Sequence, residues 1–337
     1  MKAFHIALAF AVLLTPAARA ADAPAYRIVE RIKVPDGGFD YATFDPAANR
    51  VYMPRGAFTT VIDAATGAVS QLAAGISDHI ALPVPGTSLM VLTQRKGAIR
   101  IADTATDTVL ADLAGEKNPN SAAYDPVTRM VFVINKDSGS ASIVDPIARK
   151  VVAVMPVSPN TLEFPVADGR GRIFDNIETT AEIAVIDTKS RKVTGFYKLK
   201  GCEEPTGLAY DAAANLLISS CNNGVAKVVN ADTGAEVASL PIGAGPDAVI
   251  YDPGRKMAFV PCGRDGVLDV ISLADPAHIA VIQRVQTLPG SRTGTVDPGT
   301  GRVYVIASKP DTAAAVPPGG RAPRLAGSWE VLVIVPW

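Results

Sequence analysis

The chain has 337 residues, 48% hydrophobic and 19% charged, with 32 basic against 33 acidic residues and a net charge of −1. That apolar content excludes a disordered polymer, and the charge balance excludes a nucleic-acid binder acting through bulk positive charge. Three cysteines cannot staple a chain this long, so a hydrophobic core must hold it together.

In chain order, Lys2, the apolar run 3–14 and the small-residue triplet Ala18-Arg19-Ala20 predict a signal peptide over residues 1–20, cleaved near Ala20. The mature chain is then expected in the periplasm or medium. Cleavage removes Lys2 and Arg19 and no acid, which moves the net charge from −1 to −3. No later apolar stretch is long enough to span a membrane. Residues 21–337 are predicted to form one domain and a monomer.

Residues 26–34 alternate as a strand, with Tyr26, Ile28, Ile32 and Val34 expected on one face and Arg27, Arg31 and Lys33 on the other. Two landmarks then repeat about every 42 residues. The first is Asp-Pro or a relative before a β-branched run, at positions 45, 85, 125, 168, 211, 252 and 297. The second is an apolar pair before Asp, Asn or Ser, as in Val61-Ile62-Asp63, Ile101-Ala102-Asp103, Val185-Ile186-Asp187 and Val228-Val229-Asn230. Both are turn chemistries: Asp opens a tight turn, and in Asp63 to Gly67 the Asp and Thr side chains bond nearby backbone while glycine takes the left-handed position. Each unit therefore reads as four short antiparallel strands. Seven such units predict an all-β, seven-bladed β-propeller. The last unit lacks a fourth strand, and the N-terminal strand is expected to supply it and close the ring.

The segments Val51-Tyr52-Met53-Pro54, Val131-Phe132-Val133-Ile134 and Val303-Tyr304-Val305-Ile306, with Val-Ile-Asp-x-x-Thr downstream, resemble the YVTN repeat of the YncE-like β-propellers. The resemblance covers nearly all of 26–337. It implies an exported seven-bladed propeller. Some proteins of this kind bind nucleic acid or surfaces, and lactonases and quinoprotein dehydrogenase subunits belong to the same superfamily.

Function in such a fold belongs to the loops at one mouth of the channel. Five or six residues before each first landmark the chain leads into an innermost strand. Those seven places hold Asp40, His79, Asn120, Glu163, Thr206, Asp247 and Arg292. A wet channel mouth would be polar in any case. As a site, the ring would take a small polar or anionic ligand, or a Ca²⁺ ion held by oxygens of Asp40, Asn120, Glu163 and Asp247.

The loops joining second and third strands should open on the same face. They bring Arg55, Arg95, Lys96, Lys136, Arg264 and Lys309, with Asp175 and Glu178 in the fourth. That segregated positive charge points to an anion, either a small molecule or a group on a protein partner. A nucleic acid is less well supported, because Phe58 is the one obvious stacking residue.

No catalytic, phosphate-loop or metal-finger motif occurs, and with two tryptophans and no Cys-x-x-Cys-His, neither quinone nor haem is expected. The expected role is non-catalytic binding. The alternative is a lactonase-like hydrolase, with Glu163 or His79 as base and Arg292 polarising the leaving oxygen. A Cys202–Cys221 disulfide is expected, with Cys221–Cys262 and free thiols as alternatives. The long interval 308–328 is expected to rise over the mouth as an irregular loop carrying Lys309, Arg321 and Arg324.

Overall fold

The computed structural model describes residues 24–316 and 322–337, and within these the chain forms twenty-eight strands and no helix. Residues 1–20, where the signal peptide is expected, and Arg321 lie outside the described residues. The strands make seven antiparallel four-stranded sheets. Blades one to six are consecutive in sequence, over 43–72, 81–114, 119–156, 162–198, 205–241 and 250–286. Blade seven is built from both ends of the chain: Gly294–Asp297, Arg302–Ala307 and Glu330–Pro336 are completed by Tyr26–Lys33 as the outer strand.

The repeated acids act through their side chains. Asp45 Oδ1 accepts the amide hydrogens of Ala47 and Ala48, and Asp125, Asp211 and Asp252 cap the equivalent turns. Asp63 Oδ1 takes the amides of Ala65 and Thr66 and the Thr66 hydroxyl, and Asn230 does the same for Asp232 and Thr233. This is why a short Asp, Asn or Ser recurs there and Glu does not. The left-handed residue is Gly67 in the first such turn (φ 72°), as expected, while Arg149 and Arg191 hold the same place in others at φ 53° and 56°.

There is no single core. The buried apolar residues form seven clusters, one between each pair of neighbouring blades. Both faces of each blade are therefore covered, and the inner strands read as almost unbroken apolar runs.

The N-terminal strand corrects the sequence reading in one respect. Its register slips between Ile28 and Glu30, leaving Val29 as an exposed bulge. An extra residue inverts the alternation beyond it. Tyr26 and Ile28 thus pack toward blade six, against Phe259 and Ile334, whereas Ile32 and Val34 pack toward blade one, with Val51 and Met53. The four side chains do not share a face; the strand staples blade seven to both neighbours.

Cys202 and Cys221 form a disulfide with their Cα atoms 5.4 Å apart, tying the chain ahead of blade five to the end of its second strand. Cys262 is buried and free. The long connection of blade seven has an ordered stem, in which Asp311 N–H donates to Pro323 O (2.8 Å) and Leu325 N–H to Lys309 O (2.9 Å).

Burying Tyr26, Ile32 and Val34 contributes about 1.5–3 kcal/mol each, comparable together to the net stability of a whole domain. Deleting residues 24–34 is expected to abolish soluble expression or cooperative melting, read by circular dichroism on a temperature ramp. An unchanged melting curve would contradict the closure role of this strand.

Candidate binding site at the channel mouth

The seven lead-in residues are fixed by a ring of blade-to-blade contacts. Tyr41 N–H of blade one donates to His79 O (3.0 Å), and Thr93 Oγ1 of blade two to Asn120 O (3.1 Å). Ser121 of blade three donates to Glu163 O, Asn176 Nδ2 of blade four to Thr206 O (2.9 Å), and Thr206 Oγ1 of blade five to Pro246 O (3.1 Å). Thr293 Oγ1 of blade seven closes the circle on Asp40 O (2.7 Å). Between blades six and seven the link is ionic, Arg292 Nε to Asp247 Oδ2 at 2.6 Å. The backbones are correspondingly close: a Cβ on Gly207 would stand 2.3 Å from Val249 N. The carbonyls of Asp40, His79, Asn120, Glu163 and Thr206 are taken by the preceding blade, which fixes the orientation of those five lead-in backbones.

All seven lead-in residues line one cavity of about 730 Å³. Its inner charges are paired. His79 places its ring nitrogens 2.7 Å from Asp40 Oδ2 and 3.0 Å from Asn118 Oδ1. Glu163 accepts from Tyr41 Oη (2.9 Å) and from Lys136 Nζ, and Lys136 also meets Glu178 Oε2 at 3.0 Å. Burial pushes the Glu163 carboxyl up to about 7, with Lys136 opposing and the charges of Asp247 and Glu178 adding to the rise. Arg292 stacks on Phe39 (4.1 Å) besides pairing with Asp247. Asn120, 3% exposed, lines the cavity, and its side chain makes no hydrogen bond among the described residues.

An outer tier comes from the turns between second and third strands: Arg95, Lys136, Glu178, Asn222 and Arg264 all line the cavity. The stem of the long loop adds Pro310, Ala322 and Arg324, whose Nη1 donates to Pro289 O (2.6 Å). Lys309 does not line the cavity. Among the described residues no group of three His, Cys, Asp or Glu is arranged to hold a metal, and Asp40, Glu163 and Asp247 each face a protein histidine or cation.

Two sequence expectations need correction. Arg55 is not at the mouth. It is 3% exposed, lies over Trp329 at 4.4 Å and donates to Pro35 O, because the 35–39 segment and the end of the long loop cover it. It belongs instead to a stack, Arg55–Trp329–Phe39–Arg292, that buttresses the cavity wall from behind. Asp175 is not in a loop either. It is the fourth residue of the strand Arg172–Ile177 and is fully buried between blades three and four. The equivalent residue is Met53, Leu92, Val133, Val260 or Val305 in five of the other blades and Ser219 in blade five. Neither Asp175 oxygen has a hydrogen-bond partner, and burial together with the Glu163 charge pushes its pKa well up. Sequence reading missed Phe39, Tyr41, Asn118 and Asn222. The repeat frame does place Asn118 two residues before Asn120, but its polar side chain alone did not separate it from an ordinary turn.

No protein-family model and no curated protein matches the chain. Solved structures do. The RRP9 WD40 repeats superpose with a TM-score of 0.75 at 9% identity, covering 93% of this chain and 99% of that one. A chain of the mitotic checkpoint complex gives 0.72 at 16%, covering 89% and 95%. A chain of the Kuenenia stuttgartiensis hydrazine synthase gives 0.71 at 12%, covering 81% and 94%. At these identities the likeness establishes the propeller fold and nothing finer.

Two outcomes follow for stability. Since Glu163 is raised in the folded state, the native protein holds more protons than the unfolded one between pH about 4.5 and about 7. Its contribution to stability is present below that window and is lost as pH rises through it. Urea melts from pH 4.5 to 7.5 should show that decline in the wild type and a shallower one in Glu163→Gln; equal slopes would contradict it. Asp175→Val should stabilise the fold by about 1–3 kcal/mol, because it replaces a buried carboxyl that makes no hydrogen bond. A lower melting temperature would show that Asp175 has an indispensable partner.

Proposed function

We propose that this is an exported, non-catalytic propeller, a divergent relative of the YVTN-repeat proteins, that binds a small polar anion at the channel mouth. The carrying observation is the cavity of about 730 Å³, whose carboxylates are already engaged by Lys136, His79 and Arg292 while the Arg95 and Arg264 guanidinium groups meet no carboxylate among the described residues. A mouth wired in this way leaves positive charge for a ligand. The fold and its likeness to a chain of the mitotic checkpoint complex support a binding role, and an acidic group on a protein partner would meet the same cations.

Glu163 favours a second reading. A carboxyl held near neutrality beside a cavity is suited to take a proton, as a lactonase-like hydrolase requires. His79, with both ring nitrogens engaged, is less suited to the task. Arg292, committed to Asp247 and Phe39, is poorly placed to polarise a leaving oxygen.

Titration with phosphate, sulfate and simple carboxylates, followed by melting temperature, tests the binding reading. Binding to the native state alone adds about 2.7 kcal/mol of stability at a hundred times Kd. The stabilisation should shrink as sodium chloride rises, since exposed charges are screened beyond about 8 Å at physiological ionic strength. A panel of five- and six-membered lactones at pH 7 should show no turnover above buffer. Turnover by the wild type that disappears in Glu163→Gln would replace the binding reading with the hydrolytic one.

A further inference from the structure

The two tiers of the mouth are charged in different ways, and the difference points to the shape of the ligand. In the inner tier each carboxylate is engaged by a neighbour: Asp40 by the His79 imidazole, Glu163 by Lys136, Asp247 by Arg292. Lys136, reaching in from the outer tier, is also used up, by Glu163 and Glu178. Two outer-tier guanidinium groups remain that no carboxylate meets among the described residues. Arg95 stands on blade two, where its backbone amide is anchored to Asp78 Oδ2 (2.8 Å). Arg264 stands on blade six, where its guanidinium donates to the neutral Asn222 Oδ1 (3.2 Å).

Blades two and six are three blades apart by the shorter way round a ring of seven, so the two arginines face each other across the opening. Arg324 reinforces the blade-six side. It packs over Gly290, whose N–H donates to Gly263 O beside Arg264. Between the two sides the cavity carries the linked charges of Lys136, Glu163 and Glu178 together with the neutral polar groups of Asn118, Asn120, Thr206 and Asn222, and the Asn120 side chain makes no hydrogen bond among the described residues.

We propose that the mouth takes a small molecule with an anionic group at each end, one held by Arg95 and the other by Arg264 with Arg324, while Asn120 meets a polar atom between them. This rests on the anion-binding reading above and goes further by fixing the number and placement of the charges. Dicarboxylates and bisphosphates share this chemistry. A single anion could engage one side only. A molecule bearing two gains the second contact within the same complex, where the effective concentration of the other end is high.

Calorimetric titration at low salt tests it, with α,ω-dicarboxylates from succinate to azelate, butyrate as monoanion, propane-1,3-diol bisphosphate and inorganic phosphate. A bis-anion of matching length should bind at least about tenfold more tightly than the monoanion with the same terminal group, a difference of about 1.4 kcal/mol. The comparison of carboxylate with phosphate series distinguishes the two sources. Arg95→Ala and Arg264→Ala, both at exposed turns and so expected to melt near the wild-type temperature, should each reduce the bis-anion to monoanion affinity. Equal affinity for one and two anionic groups would overturn the inference and leave the anion reading standing. Binding of none of the probes, or binding that survives the double substitution, would overturn both.

Discussion

The structure depends on a circle of contacts around the channel mouth, in which each blade binds the lead-in segment of the next. Six are hydrogen bonds to main-chain carbonyls or, at Thr206, run on from one carbonyl to another; the seventh is the Asp247–Arg292 pair. Apolar wedges hold the blades together but are tolerant of direction. Hydrogen bonds buried near the axis are not, since a group left unpaired there costs about 1–3 kcal/mol. The circle therefore sets where seven side chains point, and the cavity is a consequence of closing the ring. Closure in turn rests on blade seven, the only one assembled from both ends of the chain.

Charge is distributed in the same two-level way. Near the axis, where water is scarce, acids and bases are matched, and one acid, Glu163, is held near neutrality by its burial. Further out, where water screens an unmatched charge, the Arg95 and Arg264 guanidinium groups have no carboxylate partner among the described residues. Unmatched cations deep in the channel would be costly; at the rim they are tolerated and stay available. Arg292, matched by Asp247, is held in addition by the stack through Phe39 and Trp329 to Arg55.

Most of the fold and the inner tier were legible because the repeat carries its own ruler. A turn with an Asp cap fixes strand ends to within a residue, so counting back five or six residues reaches the same place in every blade. Thus Asp40 and Arg292, far apart in sequence, could be placed on one ring. What failed did so for local reasons. Val29 is one extra residue in a strand, and no pattern marks a bulge whose neighbours are equally apolar and charged. Arg55 looked like a hairpin tip because its cover, Trp329, arrives from the opposite end of the chain. Asp175 looked like a loop residue because five of the other six blades carry an apolar residue at that strand position. Asn176 has in fact a structural duty, donating to Thr206 O and Gly207 O within the ring. The Asp175 side chain makes no hydrogen bond among the described residues, and its buried carboxyl feels the Glu163 charge.

The most direct measurement is a pair of crystal structures, with and without a bound α,ω-dicarboxylate. A mouth preformed by the interblade circle should keep Asp40, His79, Asn120, Glu163, Thr206, Asp247 and Arg292 within about 1 Å of their unliganded positions, as in other pre-organised sites. The ligand should lie across the opening, with its carboxylates on Arg95 and Arg264. Rearranged lead-in segments, or a ligand bound on another face of the propeller, would contradict the account.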